Sequence, residues 1–221
     1  MSAPIHIGVF IPNEAQFLDT ATVDVLGSMS REYLELVPIP QQIIDMAPKT
    51  TISYITSPRN GKDIPMTSGG RLKATHHYGD ADVAPGKLSV IVVPGPYPDA
   101  KFDKEGLQWL HDHSQIEGVD ILSVCTGVLV CGEAGILEGK TVSGPKMMQD
   151  ELQKKYPTAT FTGANQRWVR DGNLWSSGGV TNGNDLMAAF ARESGRWPQP
   201  VVDLGLEITD VGDRKQFYNE S

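Results

Sequence analysis

The stretch Val119-Asp120-Ile121-Leu122-Ser123-Val124-Cys125-Thr126-Gly127-Val128-Leu129-Val130-Cys131-Gly132-Glu133-Ala134-Gly135 decides how the chain is read. Residues 119–124 form a short apolar run of the length a strand buried on both faces requires. A helix is expected over 126–134, and Gly135 ends it. A buried strand that stops abruptly and turns at once into a helix is the repeating join of an α/β protein with a parallel sheet.

The same alternation extends outward. Upstream, 5–11 reads as a first buried strand, and 19–31 carries helical spacing through Val23, Leu26 and Met29. Segments 34–37, 52–55 and 88–93 are further strand candidates, separated by Pro- and Gly-rich turns, and the last runs into Pro94-Gly95-Pro96. A short helix is expected over 106–113. Downstream come a helix over about 145–156, a hairpin in which 168–170 and 173–175 flank Asp171-Gly172, and a final long helix over 183–193. From Trp197 the pattern fades into a tail with several prolines and charges. The expectation is a single α/β domain over 1–221, a mostly parallel sheet with helices on both faces. Its core is about 5–193, and 194–221 is an extension packed on the surface.

A chain of 221 residues with 39% hydrophobic and 21% charged residues is long and apolar enough to bury a sizeable core. Its formal charge of -8 and the lack of a basic stripe argue against nucleic acid as a partner. No apolar run approaches the roughly 20 residues of a membrane span. Met1-Ser2-Ala3-Pro4 has no leader-like basic and apolar regions, so a cytoplasmic protein without a membrane partner is expected. The two cysteines, Cys125 and Cys131, lie six residues apart within one apolar segment, a poor basis for a disulfide or a zinc site. Free thiols are expected, with no metal and no cofactor.

The chemistry concentrates at Cys125. A nucleophile at the end of a buried strand, with a helix starting behind it, follows the logic of G-x-S-x-G with cysteine in place of serine. The helix N-terminus would lower the thiol pKa, and the N–H of Thr126 or Gly127 would point where an oxyanion develops. Small Gly127 suits close packing of the turn. A buried core cysteine is the alternative reading for Cys125, and for Cys131, inside the helix, the core reading is preferred.

The segments Ser123-Val124-Cys125-Thr126-Gly127 and Ala134-Gly135-Ile136-Leu137-Glu138-Gly139-Lys140 resemble the elbow of the ThiJ/PfpI superfamily, and within it the isonitrile hydratase branch. Val169-Arg170-Asp171-Gly172-Asn173-Leu174, Ser177-Gly178-Gly179-Val180-Thr181-Asn182-Gly183, Phe17-Leu18-Asp19 and Val23-Asp24-Val25 extend the resemblance over about 5–193. The resemblance implies a flavodoxin-like sheet of the class I glutamine amidotransferase-like type and a homodimer acting on a small molecule. It also implies an acidic residue beside the cysteine, a position that falls on Asp19, and a site contact from Thr126. A carboxyl in such a pocket has a raised pKa and serves as general acid and base. The alternative reading of Asp19 is an N-cap of the first helix, and the functional one is preferred because of the matching motif. Asp24 reads as a solvated or packing residue.

Two departures from the family pattern matter. Many superfamily members carry a histidine where this chain has Thr141-Val142-Ser143-Gly144-Pro145-Lys146, and His6, His76, His77, His111 and His113 all read as structural or solvated. Amide hydrolysis through a Cys–His pair is therefore disfavoured. Pro96 stands where the family loop reads Pro-Gly-Gly, and proline has no N–H to donate. Gly95 or Tyr97 is left to serve in its place, with the Tyr97 hydroxyl either in the pocket or on the surface.

The expected activity is addition of water to an isonitrile to give an N-substituted formamide. Glyoxalase-like or biosynthetic chemistry at the same cysteine, and non-enzymatic redox sensing by Cys125, are the alternatives. A transcriptional regulator is disfavoured, since the chain leaves no room for a helix-turn-helix module.

Overall fold

The computed structural model describes residues 3–220. In chain order its strands are β1 (Ile5–Ile11), β2 (Thr50–Thr56), β3 (Asp63–Pro65), β4 (Arg71–Lys73), β5 (His76–His77), β6 (Val90–Val93), β7 (Asp120–Val124), β8 (Thr141–Val142), β9 (Thr160–Phe161), β10 (Trp168–Asp171) and β11 (Leu174–Ser177). The helices are α1 (Phe17–Ala21), α2 (Val23–Gly27), α3 (Arg31–Leu34), α4 (Gln41–Met46), α5 (Lys104–Ser114), α6 (Gly127–Glu133), α7 (Gln149–Lys155), α8 (Thr181–Glu193) and α9 (Gln199–Thr209). Seven strands form the main sheet in the order β10-β11-β7-β6-β1-β2-β5. Every pairing in it is parallel except the β10–β11 hairpin. The flavodoxin-like α/β class expected from the sequence is the observed one.

Period-two alternation divides the core between the two faces of the sheet. Ile5, Ile7, Val9 and Ile11 of β1 face a layer built by Leu26 of α2, Phe190 of α8 and Val202 of α9. Phe10, Ile91 and Val93 face the opposite layer, with Leu110 of α5, Val128 of α6 and Leu152 of α7. Among the described residues no helix is long and apolar enough to cross a membrane.

Three segments differ from the sequence expectation. The helix expected over 19–31 is broken into α1, α2 and the start of α3. Thr20 Oγ1 donates to Gln16 O, Thr22 Oγ1 to Asp19 O and Ser28 Oγ to Val25 O, so hydroxyls compete for the carbonyls that a continuous helix would use. The strand expected over 34–37 is a turn, because Ser30 caps α3 and the amides of Leu36 and Val37 bond back to Tyr33 and Leu34. The stretch after Trp197 is no surface extension: Pro200 sits in the first turn of α9, where its missing N–H costs nothing, and Val201, Val202 and Leu206 are buried.

Candidate active site

Four neighbouring strands, β11, β7, β6 and β1, deliver their carboxyl ends to one edge of the sheet, where open α/β sheets bind ligands. β7 ends on Cys125, whose φ of 57° puts it in the left-handed region, and α6 begins two residues later. Only a sharp turn of this kind lifts a side chain clear of the strand while starting a helix behind it. Gly127 makes the turn possible, because a Cβ there would lie 2.1 Å from the Val93 carbonyl oxygen. Cys125 is partly exposed, whereas Cys131, inside α6, is fully buried and its thiol is pushed up to about 12 by burial.

Asp19 reaches this edge from α1 and is wholly buried. The N-cap of α1 is Gln16, so Asp19 is no helix cap. Its Oδ2 accepts the Gly95 N–H at 3.2 Å, while among the described residues Oδ1 has no hydrogen-bond partner. The Cys125 thiol and the Val180 N–H also bear on the carboxyl. Burial dominates and raises the Asp19 pKa from 3.8 to about 7, against the opposing pull of these donors.

The buried setting works against ionisation of the thiol. Burial first, then the negative charge of Asp19, push the Cys125 pKa up to about 11, outweighing the Thr126 and Val180 N–H groups that favour the thiolate. Desolvation and a like-signed neighbour thus oppose the lowering expected from the helix N-terminus. At neutral pH the pair rests as a neutral thiol beside a carboxyl poised to gain or lose a proton.

Thr126 is buried, and its hydroxyl donates to the Pro96 carbonyl at 2.7 Å. This bond clamps the 94–96 loop onto the elbow. Gly95 is required there, because a Cβ on it would meet Thr126 Oγ1 at 2.4 Å and Asp19 Oδ2 at 2.6 Å. The Gly95 N–H is occupied by Asp19 and is not free for substrate. Tyr97 lies outside the cluster: it is half-exposed, its N–H donates to Glu14 and its hydroxyl to Thr67 O at 3.1 Å. The reading that places its hydroxyl in the pocket is therefore set aside.

Val180 is the site residue that sequence reasoning missed. It follows Ser177-Gly178-Gly179, and a Cβ on Gly179 would lie 3.9 Å from Cys125 Sγ. Its φ of 41° is unfavourable for a β-branched residue, and this strained conformation turns its N–H toward Cys125 and Asp19. The glycine pair before a helix was the available signal.

No histidine joins the cluster. His6 Nε2 lies 2.9 Å from Ser53 Oγ, and His77 Nε2 lies 2.7 Å from Gly61 O. His76, His111 and His113 pair with Thr75, Ala134 O and Trp109 O.

Residues 37–193 match the DJ-1/PfpI family. The chain belongs to the DJ-1/PfpI family. Its sequence is 31% identical over 192 residues to the isonitrile hydratase of Pseudomonas putida, spanning 86% of this chain and 72% of that protein. Among solved DJ-1/PfpI folds, a THiJ/PfpI family protein from Pseudomonas syringae superposes with a TM-score of 0.71 at 21% identity, covering 99% of this chain and 79% of the other. DJ-1 of Schizosaccharomyces pombe gives a TM-score of 0.69 at 12% identity, covering 94% and 100%. At these identities the two structures establish the fold. The hydratase relative supports a hydratase-like member of the DJ-1/PfpI family.

Proposed function

We propose that the protein adds water to an isonitrile, with Cys125 as nucleophile and Asp19 as the shuttling acid and base. The observation that carries this reading is the Cys125–Asp19 pair, a partly exposed thiol beside a wholly buried carboxyl near pKa 7, with no imidazole. Isonitrile hydration expels no amine at its first step, so one carboxyl suffices for every proton transfer.

In the first step protonated Asp19 delivers its proton to the terminal isonitrile carbon. The Cys125 sulfur bonds to that carbon, and its own proton returns to the carboxylate. The product is a thioimidate, R–N=CH–S, with Asp19 protonated again. Asp19 then protonates the nitrogen and, as carboxylate, takes a proton from water as the oxygen adds to the carbon. Collapse of R–NH–CH(OH)–S breaks the C–S bond, gives the formamide R–NH–CHO, and returns the hydroxyl proton to the sulfur. The Thr126 and Val180 N–H groups support the departing sulfur as charge develops.

The purified protein is expected to convert a panel of aliphatic and aromatic isonitriles to formamides, with a rate that changes near pH 7 as Asp19 titrates. Cys125→Ala is expected to lose at least 10³-fold of turnover, on the order seen when a nucleophile is removed. Turnover surviving that substitution would overturn the reading.

The substrate is a small molecule, and a homodimer is part of the same proposal. Phe17 and Leu18, 47% and 60% exposed on α1 beside Asp19, are the large apolar side chains a second copy would cover. Light scattering at micromolar concentration reads the assembly directly, and a monomer rejects it. A cytoplasmic setting is proposed on the same footing, and fractionation of the producing cells tests it.

A further inference from the structure

Residues 211–220 take no part in the chemistry above, yet they end at its rim. The tail leaves α9 through Asp210, in the left-handed conformation at φ 53°, and is tied down along its length. Arg192 Nη1 donates to Gly212 O at 2.8 Å, and the Arg214 guanidinium pairs with buried Asp185. Arg167 Nη1 donates to the carbonyls of Lys215 and Phe217 at 2.7 and 2.8 Å, while the Arg167 N–H donates to Gln216 O at 2.7 Å. The Tyr218 N–H donates to Asn165 O at 3.0 Å. The Tyr218 ring lies 4.5 Å from Lys146 Nζ and 4.7 Å from the Arg167 guanidinium carbon, within cation–π range of both.

The Tyr218 hydroxyl is not needed to hold this strap. It accepts the Asn182 side-chain N–H at 2.7 Å, and Asn182 lies buried in the first turn of α8. The hydroxyl, the Asn182 amide and the Gly144 carbonyl all crowd one point. They lie 3.3, 2.7 and 3.4 Å from where Gly178 would carry a Cβ. Gly178 in turn donates its N–H to the carbonyl of Arg167, the residue that grips the tail. Gly179 and Val180 follow, the first against Cys125 Sγ and the second strained. A strained residue persists only where its surroundings hold it, and the glycine turn has no side chains of its own to do so.

We propose that Tyr218 is a positioning residue for the Cys125 site, acting through Asn182 and the Gly178–Gly179 turn to hold the Val180 N–H against the sulfur and carboxyl. The proposal rests on Cys125 being the reactive thiol, and it is independent of which substrate that thiol attacks.

The test is Tyr218→Phe in the full-length protein, which keeps the ring on its two cations and removes only the hydroxyl. Alkylation of Cys125 by iodoacetamide is followed from pH 7 to 10, with peptide mass spectrometry to assign the thiol. Loss of the positioned N–H is expected to slow alkylation about fivefold throughout this range, where the rate follows the small thiolate fraction, the equivalent of about one hydrogen bond. Where an isonitrile is turned over, kcat is expected to fall by a similar factor, with KM within about twofold. An unchanged alkylation profile with the melting temperature lowered or not would overturn the proposal, leaving the tail a purely structural strap. If Tyr218→Phe does not fold, Asn182→Leu removes the same bond from the other side and is read the same way. Because alkylation needs only the thiol, failure of every isonitrile in the panel would reject the hydration reading and leave this one decidable.

Discussion

At the residue scale the site is governed by burial more than by helix geometry. The cysteine and its elbow were legible in the sequence, because a buried strand and a turn glycine are local patterns, whereas Asp19 was placed beside them only through the family resemblance. The thiol's protonation was not legible. It depends on how deeply Asp19 and Cys125 are desolvated together, and that is settled by residues as distant as 95 and 180. This yields a divided expectation for Asp19→Asn. Removing the carboxylate charge lowers the Cys125 pKa, so alkylation at pH 8 speeds up while formamide production is lost. Stability moves as well. A carboxyl at 3.8 unfolded and about 7 folded favours the native state fully below pH 4, and that contribution is lost as pH rises through 7. The variant is therefore expected to exceed the wild type by roughly 2–4 kcal/mol at pH 8, with little gain at pH 4, as read by denaturant unfolding at both values. A variant that alkylates more slowly than wild type would show that Asp19 activates the thiol.

At the element scale the elbow depends on how closely α6 approaches β6. Alanine at Gly127 would drive its Cβ into the Val93 carbonyl, a backbone atom that cannot rotate away. Gly127→Ala is expected to cost about 3 kcal/mol or more and to abolish turnover, measured by urea unfolding beside the isonitrile assay. Gly139→Ala gives the opposite case, a positive φ of 69° with no atom within 4 Å of the added Cβ, and should cost only about 1 kcal/mol. The elements themselves were readable wherever one period ran uninterrupted, as in β1, β7 and α8. Reading failed at 19–31, where threonines and serines redirect carbonyls, and at 34–37, where Ser30 starts a helix on an apolar stretch that looks like a strand. In both places a side chain's local hydrogen bond outweighs hydrophobic spacing.

At the scale of the whole molecule α9 belongs to the core of the fold. The prolines at 198 and 200 look like breakers in sequence but open α9, and its apolar face completes the layer over β1. Leu206→Ala is expected to destabilise by about 2–4 kcal/mol, as deletion of a buried leucine does, with a matching fall in melting temperature. A loss below about 0.5 kcal/mol would return the segment to a surface extension. The strand order has a further consequence during synthesis. β7, which ends on the nucleophile, lies between β6 and β11, and β11 is made about fifty residues later. At roughly 5–20 residues per second, the ribosome presents Cys125 for several seconds before the strand and glycine turn that flank it exist. For that interval the thiol stands without the strand and the Val180 N–H that later enclose it, so its surroundings are set by the order of synthesis as well as by the final fold.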